Sequence, residues 1–182
     1  MQPVLFYTVG YPGAGKTTLA NRLSYWLGAR HLRGDKIGLE LFRFPTFSPE
    51  ERRVVYAEMS RQAVAELRGG RHVIYDAATN TVAQRDHLVR LAADQGGQAI
   101  GLWVQTPLEL AKQRAGTIRD QGVVGAVARI IPPQLFDQYV AAFEAPGDDE
   151  LVLLISGDAT FPLQYRRLQR QLRPNALPRL VQ

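Results

Sequence analysis

The chain has no cysteine, so it forms neither a disulfide nor a zinc site built on thiolates. Its three histidines, His31, His72 and His87, are scattered and lack the spacing of metal ligands. No apolar run approaches the roughly 20 residues that span a bilayer, and no basic, signal-like segment follows Met1. We therefore expect a cytoplasmic protein without a membrane partner, and 182 residues suit one α/β domain.

Positive charge is concentrated at one end of the chain. The net charge is +5 and the isoelectric point is about 9.8, which is typical of nucleic-acid-binding proteins. Residues 161–182 contain five arginines and no acidic residue, whereas positions 1–160 hold 17 basic and 17 acidic residues. Because the body is neutral, nucleic acid stays open as a partner but is not favoured over a small molecule.

The most informative stretch is residues 4–18, VLFYTVGYPGAGKTT. A β-rich apolar run leads into G-x-x-x-x-G-K-[ST], the phosphate-binding loop, and apolar residues then recur at helical spacing. Glycines let the backbone turn tightly and bring its N–H groups to phosphate oxygens, and the helix N-terminus adds partial positive charge. Lys16 is expected to contact the β- and γ-phosphates and to act in catalysis, and Thr17 to ligate Mg²⁺. The predicted nucleotide-binding residues are Gly10, Pro12, Gly13, Ala14, Gly15, Lys16, Thr17 and Thr18.

Strand and helix patterns alternate along the rest of the chain. This alternation predicts right-handed crossovers and a parallel sheet covered by helices on both faces. Trp26 and Trp103 fall in periodic segments and are expected in the core. Further strands are predicted at 29–32, 72–75, 99–104 and 151–155, and further helices at 49–68, 82–95, 108–115, 133–143 and 161–172.

Two carboxylates, Asp35 and Asp76, directly follow predicted strands. Ligands of open α/β sheets bind at the carboxyl ends of the strands, so both side chains are expected on the face of the phosphate loop. Asp76 suits a magnesium site, through a bound water or the Thr17 hydroxyl. Asp35 suits a base that accepts the proton of an attacking hydroxyl. For either residue, the alternative is a loop aspartate that caps a helix.

Arg114 and Arg119 follow the fourth strand, near a segment rich in Gly, Arg and Val that has the composition of a lid. Arginines at such a place stabilise the charge that spreads over a transferring phosphoryl group. The alternative is a solvated helix face. We therefore treat both arginines as candidate catalytic residues.

The chain resembles the small phosphate-loop kinases of the zeta-toxin and polynucleotide 5′-kinase-like group, also described as AAA-type ATP-dependent kinases. The resemblance covers residues 3–158, most of the chain, and the phosphate loop is its most specific part. The points of match are residues 10–18, the Asp35 segment, Tyr56, residues 67–80, Arg85, residues 103–109 and residues 143–146.

This resemblance implies a three-layer α/β/α P-loop NTPase fold with a five-stranded parallel sheet in the order 2-3-1-4-5 and a helical lid. It implies one kinase domain at 1–172, with the lid at about 112–131 and a basic tail at 173–182. ATP and Mg²⁺ are the implied cofactors, and a hydroxyl-bearing molecule is the implied acceptor. By position, Asp35 is similar to the family's general base, Asp76 to its metal-side acid, and Arg114 and Arg119 to its lid arginines.

The chain departs from the family pattern at the acceptor side. The family often has an arginine three residues after the base, where it contacts an acceptor phosphate, and Gly38 stands there in this chain. Either the acceptor is uncharged at that point, or Arg33 or Arg43 replaces the arginine. The family's Asp-Ala-Thr is also Asp-Ala-Ala-Thr here, at residues 76–79.

The leading interpretation is a phosphotransferase that moves the γ-phosphate of ATP to a hydroxyl of a small molecule or nucleotide. One alternative is a polynucleotide 5′-hydroxyl kinase, and another is an ATP-binding module without transfer activity. A GTPase-like switch is excluded because the chain has no guanine-reading Asn-Lys-x-Asp motif.

Overall fold

The computed structural model describes residues 2–46, 48–117 and 130–171. These residues form an α/β fold in which strands and helices alternate along the chain. The elements are β1 (Val4–Val9), α1 (Lys16–Leu27), β2 (Arg30–Arg33), α2 (Gly34–Leu41), α3 (Pro49–Arg68), β3 (Val73–Asp76), α4 (Val82–Ala93), β4 (Gln98–Gln105), α5 (Leu108–Ala115), α6 (Pro133–Ala141), β5 (Val152–Ser156) and α7 (Phe161–Gln171). All strand pairs are parallel and the strand order is β2-β3-β1-β4-β5, which confirms the predicted fold.

The central strand β1 is buried along its whole length and separates two hydrophobic layers. Successive side chains of a strand point to opposite faces of the sheet. Val4 and Phe6 pack in the layer that contains α1 and α7, whereas Leu5, Tyr7 and Val9 pack in the layer that contains α3 and α4. The alternation fixes the register of β1 and sets the phosphate loop at its carboxyl end.

A smaller hydrophobic cluster joins α5 to α6 through Ala111, Ala115 and Phe136. The Ile131 N–H donates to the carbonyl of Ala115 at 2.9 Å, so the two ends of the predicted lid segment lie together. Residues 118–129 of that segment and the tail at 173–182 lie outside the described residues. The proposed division into domain, lid and tail therefore stays a prediction.

Helix α2 was not predicted from the sequence. It begins at Gly34, and Arg33 at its N-cap position makes no side-chain capping hydrogen bond, so the usual start signals are missing. Its stability comes from packing, because Ile37 is buried in the same layer as α3. Asp35 consequently lies in the first turn of a helix, where the partial positive charge of the helix end favours a carboxylate.

The expectation that Trp26 lies in the core is wrong. Its side chain is 46% exposed and packs at the surface against Phe161 and Tyr165, with ring centroids 6.4 and 6.1 Å away. Trp103 is partly buried and packs against Phe143, with ring centroids 6.0 Å apart. The periodicity of the sequence therefore did not distinguish Trp103, which is partly buried, from Trp26, which lies at the surface.

The sequence Ser-Pro-Glu-Glu at residues 48–51 has the pattern of an N-cap, a proline at the first helical position and a capping-box glutamate, and helix α3 begins there. The Ser48 hydroxyl accepts a hydrogen bond from the Glu51 N–H at 3.2 Å, and Pro49 occupies the first helical position. This start sets the first turns of α3 beside α2, where they form a wall of the cavity described below. Across the described ranges, no helix combines the length and the apolar character that crossing a membrane requires.

Candidate active site

The phosphate loop is held against β4 and α5 by contacts that leave no room for side chains at two glycines. Gly10 and Gly13 have φ angles of +138° and +76°. A Cβ atom at Gly10 would lie 2.6 Å from the carbonyl oxygen of Val104, and one at Gly13 would lie 2.2 Å from that of Ala111. Both glycines are therefore required by close approach as well as by backbone conformation.

Asn80 fixes the start of the loop from the segment after β3. Its Oδ1 accepts from the Gly10 N–H at 3.0 Å, and its Nδ2 donates to the Gly10 carbonyl at 3.2 Å. The Glu144 N–H in turn donates to the Asn80 carbonyl at 3.0 Å. Sequence reasoning used Asn80 only as a point of family resemblance and missed this positioning role. The available signal was an amide side chain four residues after Asp76, beyond the end of a buried strand.

Lys16 is the first residue of α1, and its ammonium group bonds back to the loop. The Nζ atom donates to the carbonyls of Gly10 and Tyr11, both at 2.8 Å. Burial lowers the pKa of Lys16 to about 8, and the negative charge of Asp76 acts in the opposite direction. The cation is thus held where it is poorly solvated, and an anion bound in the loop would stabilise it and raise its pKa again.

Thr17, Asp76 and His31 form a chain of polar contacts at the carboxyl ends of β2 and β3. The Thr17 hydroxyl donates to Oδ1 of the buried Asp76 at 3.3 Å, and His31 Nε2 lies 3.0 Å from Oδ2. The parallel pairing of the two strands sets Arg33 opposite Asp76. His31 lies two residues earlier in β2, on the same face of the sheet as Arg33, and from there it contacts Asp76. Sequence reasoning missed His31, because a single histidine in a short strand carries no local signal.

The hydroxyl of Thr17 and the carboxylate of Asp76 are oxygen donors of the kind that Mg²⁺ prefers, and they fit the predicted magnesium site. Mg²⁺ usually takes only one or two protein ligands and keeps waters or phosphate oxygens. The described residues contain no group of three or more His, Cys, Asp or Glu side chains able to hold a metal.

Asp35 is held by Arg33 through two hydrogen bonds. Arg33 Nε and Nη2 donate to Asp35 Oδ1 and Oδ2 at 3.2 and 2.7 Å, and the Lys36 N–H donates to Oδ1 at 2.8 Å. The Arg33 side chain is only 7% exposed, so it is a fixed partner. A two-point contact with a planar guanidinium sets the plane of the carboxylate as well as its position.

A cavity of about 270 Å³ brings the candidate base together with the phosphate loop. Its floor carries the polar groups predicted from the sequence, and its walls come from α2, α3 and the segments beside them. The lining residues are Lys16, Thr17, Gly34, Asp35, Gly38, Phe42, Pro45, Glu51, Arg52, Val55, Tyr56, Asp76, Ala77 and Ala78. We call this space the acceptor-side cavity.

A second cavity of about 370 Å³ lies on the other side of Lys16 and Thr17, which line both spaces. We call it the donor-side cavity. Arg114 lines it and donates from Nη1 to the Gly157 carbonyl at 3.0 Å. The other lining residues are Gly13, Gly15, Thr18, Leu19, Arg22, Gly157, Ala159 and Gln164.

Three of the residues predicted to bind the nucleotide line neither of the two cavities. Gly10 and Pro12 belong to the loop, and Ala14 is buried with its carbonyl accepting from the Thr106 hydroxyl at 2.9 Å. Arg119 lies outside the described residues, so its assignment stays a prediction.

Neither arginine considered as a replacement at position 38 lines the acceptor-side cavity. Arg33 bonds to Asp35, and the guanidinium of Arg43 lies 5.4 Å from the ring centroid of Phe44. Arg52, from the first turns of α3, lines the cavity instead. Sequence reasoning missed it because it is 14 positions away from Gly38 along the chain.

Arg85, one of the points of family resemblance, makes contacts that hold parts of the fold together. Its side chain is fully buried and pairs with Glu150 through two bonds of 2.5 and 2.8 Å. It also donates to the Glu144 carbonyl at 2.9 Å. The pair ties α4 to the segment that precedes β5, away from both cavities.

The chain is similar to known proteins over most of its length. The model of the AAA domain family matches residues 5–146. A cytidylate kinase of Haloquadratum walsbyi (strain DSM 16790 / HBSQ001) is 33% identical over 124 residues, which are 65% of this chain. The chain spans only 58% of the length of that relative.

Two solved structures share the fold at low sequence identity. A gluconokinase from Sinorhizobium meliloti 1021 has a TM-score of 0.69 and 14% identity, with 96% of this chain and 94% of that chain covered. Kti12 from Chaetomium thermophilum, in complex with ADP-AlF3, has a TM-score of 0.72 and 18% identity, with 97% and 100% covered. P-loop kinases in general transfer a phosphoryl group from ATP with the help of Mg²⁺. Since the family model matches well over half of the sequence, the chain belongs to the AAA domain family.

Proposed function

We propose that this chain transfers the γ-phosphoryl group of ATP to a hydroxyl group of a small molecule or nucleotide. The observation that carries the proposal is that Asp35 lines the same cavity as Lys16, Thr17 and Asp76. A base and a phosphate loop that share one cavity are what transfer to a hydroxyl requires. ATP-dependent phosphoryl transfer in general is supported by the family, and the hydroxyl acceptor is the finer proposal.

On the donor side, Lys16 would hold the β- and γ-phosphates, and Thr17 and Asp76 would hold Mg²⁺. The bound ion supplies neutralisation of the charge on the phosphate oxygens. Arg114 uses one of its five N–H groups on the Gly157 carbonyl. Its other N–H groups contact oxygens of the nucleotide phosphates or of the group in transfer, a role that Arg119 shares.

On the acceptor side, the hydroxyl oxygen forms a bond to the γ-phosphorus while the bond from that phosphorus to the β–γ bridging oxygen breaks. ADP leaves, and the hydroxyl proton passes to the carboxylate of Asp35. Arg33 keeps that carboxylate oriented through its two hydrogen bonds. Positioning and electrostatics supply most of the rate, because the transition state of phosphoryl transfer is loose.

A small acceptor is favoured by the size of the acceptor-side cavity. Its volume of about 270 Å³ lies near the lower end of the roughly 300–1,000 Å³ that is usual for small-molecule sites. The cytidylate kinase relative is named for a nucleotide, and a nucleotide remains within the proposed acceptor class. An oligonucleotide would have to place only its terminal residue in the cavity.

The test is a screen with γ-labelled ATP and Mg²⁺ against fractions of a metabolite extract and against DNA and RNA oligonucleotides with 5′-hydroxyl ends. We expect label to pass to a small molecule in the wild type and to be lost in Asp35→Asn. Asp94→Asn is the matched control, because Asp94 is exposed at the C-terminal end of α4. Efficient labelling of oligonucleotides at physiological salt would identify a polynucleotide kinase instead, and label transfer undiminished in Asp35→Asn would contradict the proposed base.

A further inference from the structure

The wall of the acceptor-side cavity opposite the phosphate loop is formed by α2 and α3. A Cβ atom at Gly38 of α2 would lie 3.6 Å from Cγ2 of Val55 on α3, an ordinary contact. The two helices therefore meet at Gly38, and the absence of a side chain there leaves space in the cavity. Arg52 lies one turn before Tyr56 on α3 and lines that same space.

Arg52 differs from its neighbours on α3 in having no ion-pair partner within residues 2–46, 48–117 and 130–171. Arg53 pairs with Glu50 at 3.3 Å, and Arg61 pairs with Glu58 at 2.7 Å. Arg52 is exposed and lines the cavity, and among the described residues it is not paired with a neighbouring carboxylate.

The acidic groups of the cavity already have partners of their own. Asp35 bonds to Arg33, and Asp76 bonds to Thr17 and contacts His31. Glu51 accepts from the Thr46 N–H at 2.7 Å. These contacts leave the positive charge of Arg52 for a bound molecule.

The charge of Arg52 reaches the interior of the cavity. Burial raises the pKa of the Tyr56 hydroxyl, and the positive charge of Arg52 works against that rise. The same hydroxyl donates to the Ala78 carbonyl at 3.4 Å, and Ala78 also lines the cavity. Around these polar groups, Phe42, Pro45 and Val55 supply an apolar surface.

From this arrangement we infer that the acceptor is a small molecule that carries an oxyanion, a carboxylate or a phosphate, beside an apolar part, and that Arg52 binds that oxyanion. Arg52 then supplies from α3 the contact that the side chain at position 38 does not supply from α2. The inference rests on the proposed function in taking this cavity as the acceptor site. It narrows the acceptor class to hydroxyl compounds that are also anions.

The experiment measures binding without requiring transfer. The protein is first saturated with Mg²⁺ and a non-hydrolysable ATP analogue, so that the phosphate loop is occupied. Benzoate, phenyl phosphate and the uncharged benzamide are then titrated by calorimetry. We expect one of the two anions to bind at least ten times more tightly than benzamide, and the stronger of them identifies the oxyanion as carboxylate or phosphate.

Arg52→Gln should weaken binding of that anion by about 10- to 100-fold, because a charge-assisted hydrogen bond is lost, and should leave benzamide and the ATP analogue unaffected. Arg52→Lys should restore part of the affinity. Arg53→Gln is the matched control, since Arg53 is adjacent, 77% exposed and paired with Glu50, and it should change nothing. Adding Gly38→Arg to Arg52→Gln should return anion binding from the opposite wall.

Three results would overturn the inference: no binding of either anion, equal binding of benzamide and the anions, or the same loss in Arg53→Gln as in Arg52→Gln. The outcome is separate from that of the labelling screen. If anion binding depends on Arg52 and no hydroxyl compound accepts label, the proposed transfer fails while the oxyanion site stands. If a small molecule is labelled and its uncharged analogue is labelled equally well, the transfer stands and the oxyanion site fails.

Discussion

Replacing Lys16 with methionine should change stability in opposite directions at neutral and at high pH. Methionine keeps the length and most of the apolar stem of lysine but has no charge and no hydrogen-bond donor. In the ligand-free protein, Lys16 donates to two carbonyls of its own loop at 2.8 Å and has a pKa of about 8 because of burial. The substitution therefore removes the unfavourable burial of a charge and two favourable hydrogen bonds.

The magnitudes follow from these contacts. The pKa falls from 10.5 to about 8, so the cost of keeping the ammonium charged is fully present below about pH 8 and disappears as the pH rises to about 10.5. That shift corresponds to at most ~3 kcal/mol, and solvent screening of the partly exposed side chain reduces it to about 2 kcal/mol. The two hydrogen bonds together stabilise the wild type by only about 1 kcal/mol, because in the variant the two carbonyls can bond to water instead. We expect Lys16→Met to be about 1 kcal/mol more stable than the wild type at pH 7 and about 1 kcal/mol less stable at pH 10.5.

Denaturant unfolding of both proteins between pH 7 and 10.5 measures this difference, and effects of other titrating groups common to both proteins cancel. Mg²⁺ and ATP at a hundred times the dissociation constant should stabilise the wild type by about 2.7 kcal/mol and leave Lys16→Met unchanged. A difference in unfolding free energy that is the same at every pH would refute the account of a poorly solvated cation. Equal stabilisation of both proteins by ATP would refute the role of Lys16 at the phosphates.

Three further substitutions have distinct expected outcomes. Asp35→Asn should keep ATP affinity in calorimetry and lower the turnover of an identified acceptor by about 10²–10⁴-fold, because the amide cannot take the hydroxyl proton. Asp76→Asn should raise the Mg²⁺ concentration needed for half-maximal transfer, while a Mg²⁺ dependence like that of the wild type would argue against its role. Arg85→Met should lower the free energy of unfolding by about 3 kcal/mol or more by leaving Glu150 without its buried partner, and adding Glu150→Gln should recover part of that loss.

The donor side was predictable from the sequence because its parts are contiguous. The strand, the loop and the first turn of α1 occupy residues 4–18, and the spacing within that segment determines which groups point at phosphate. Asp76 could be added because a carboxylate at the end of a buried strand is a local signal. The capping of α3 by Ser48 was predictable for the same reason.

The contacts that were missed depend on tertiary structure. His31 reaches Asp76 only because β2 and β3 pair in one register, and Asn80 reaches Gly10 across 70 positions of the chain. Arg52 lines the cavity only because α2, which itself has no capping signal, packs beside α3. In each case the two parts that meet belong to different elements of the fold, so no local motif contains both.

The same difference between local and tertiary contributions distinguishes the donor-side cavity from the acceptor-side cavity. The donor side is built on the carboxyl ends of the strands and on loop glycines that tolerate no Cβ, so a change there disturbs the backbone. The acceptor wall is built on α2 and α3, which are anchored by other side chains, Ile37 on α2 and Met59 on α3, within the hydrophobic layer of the sheet. Positions 38 and 52 both line the cavity, and a Cβ atom at position 38 would make only an ordinary contact with Val55, so both side chains can change at little cost to the core. If the proposed function holds, we therefore expect the choice of acceptor to depend on a few residues of these two helices, and the use of ATP to depend on the backbone of the fold.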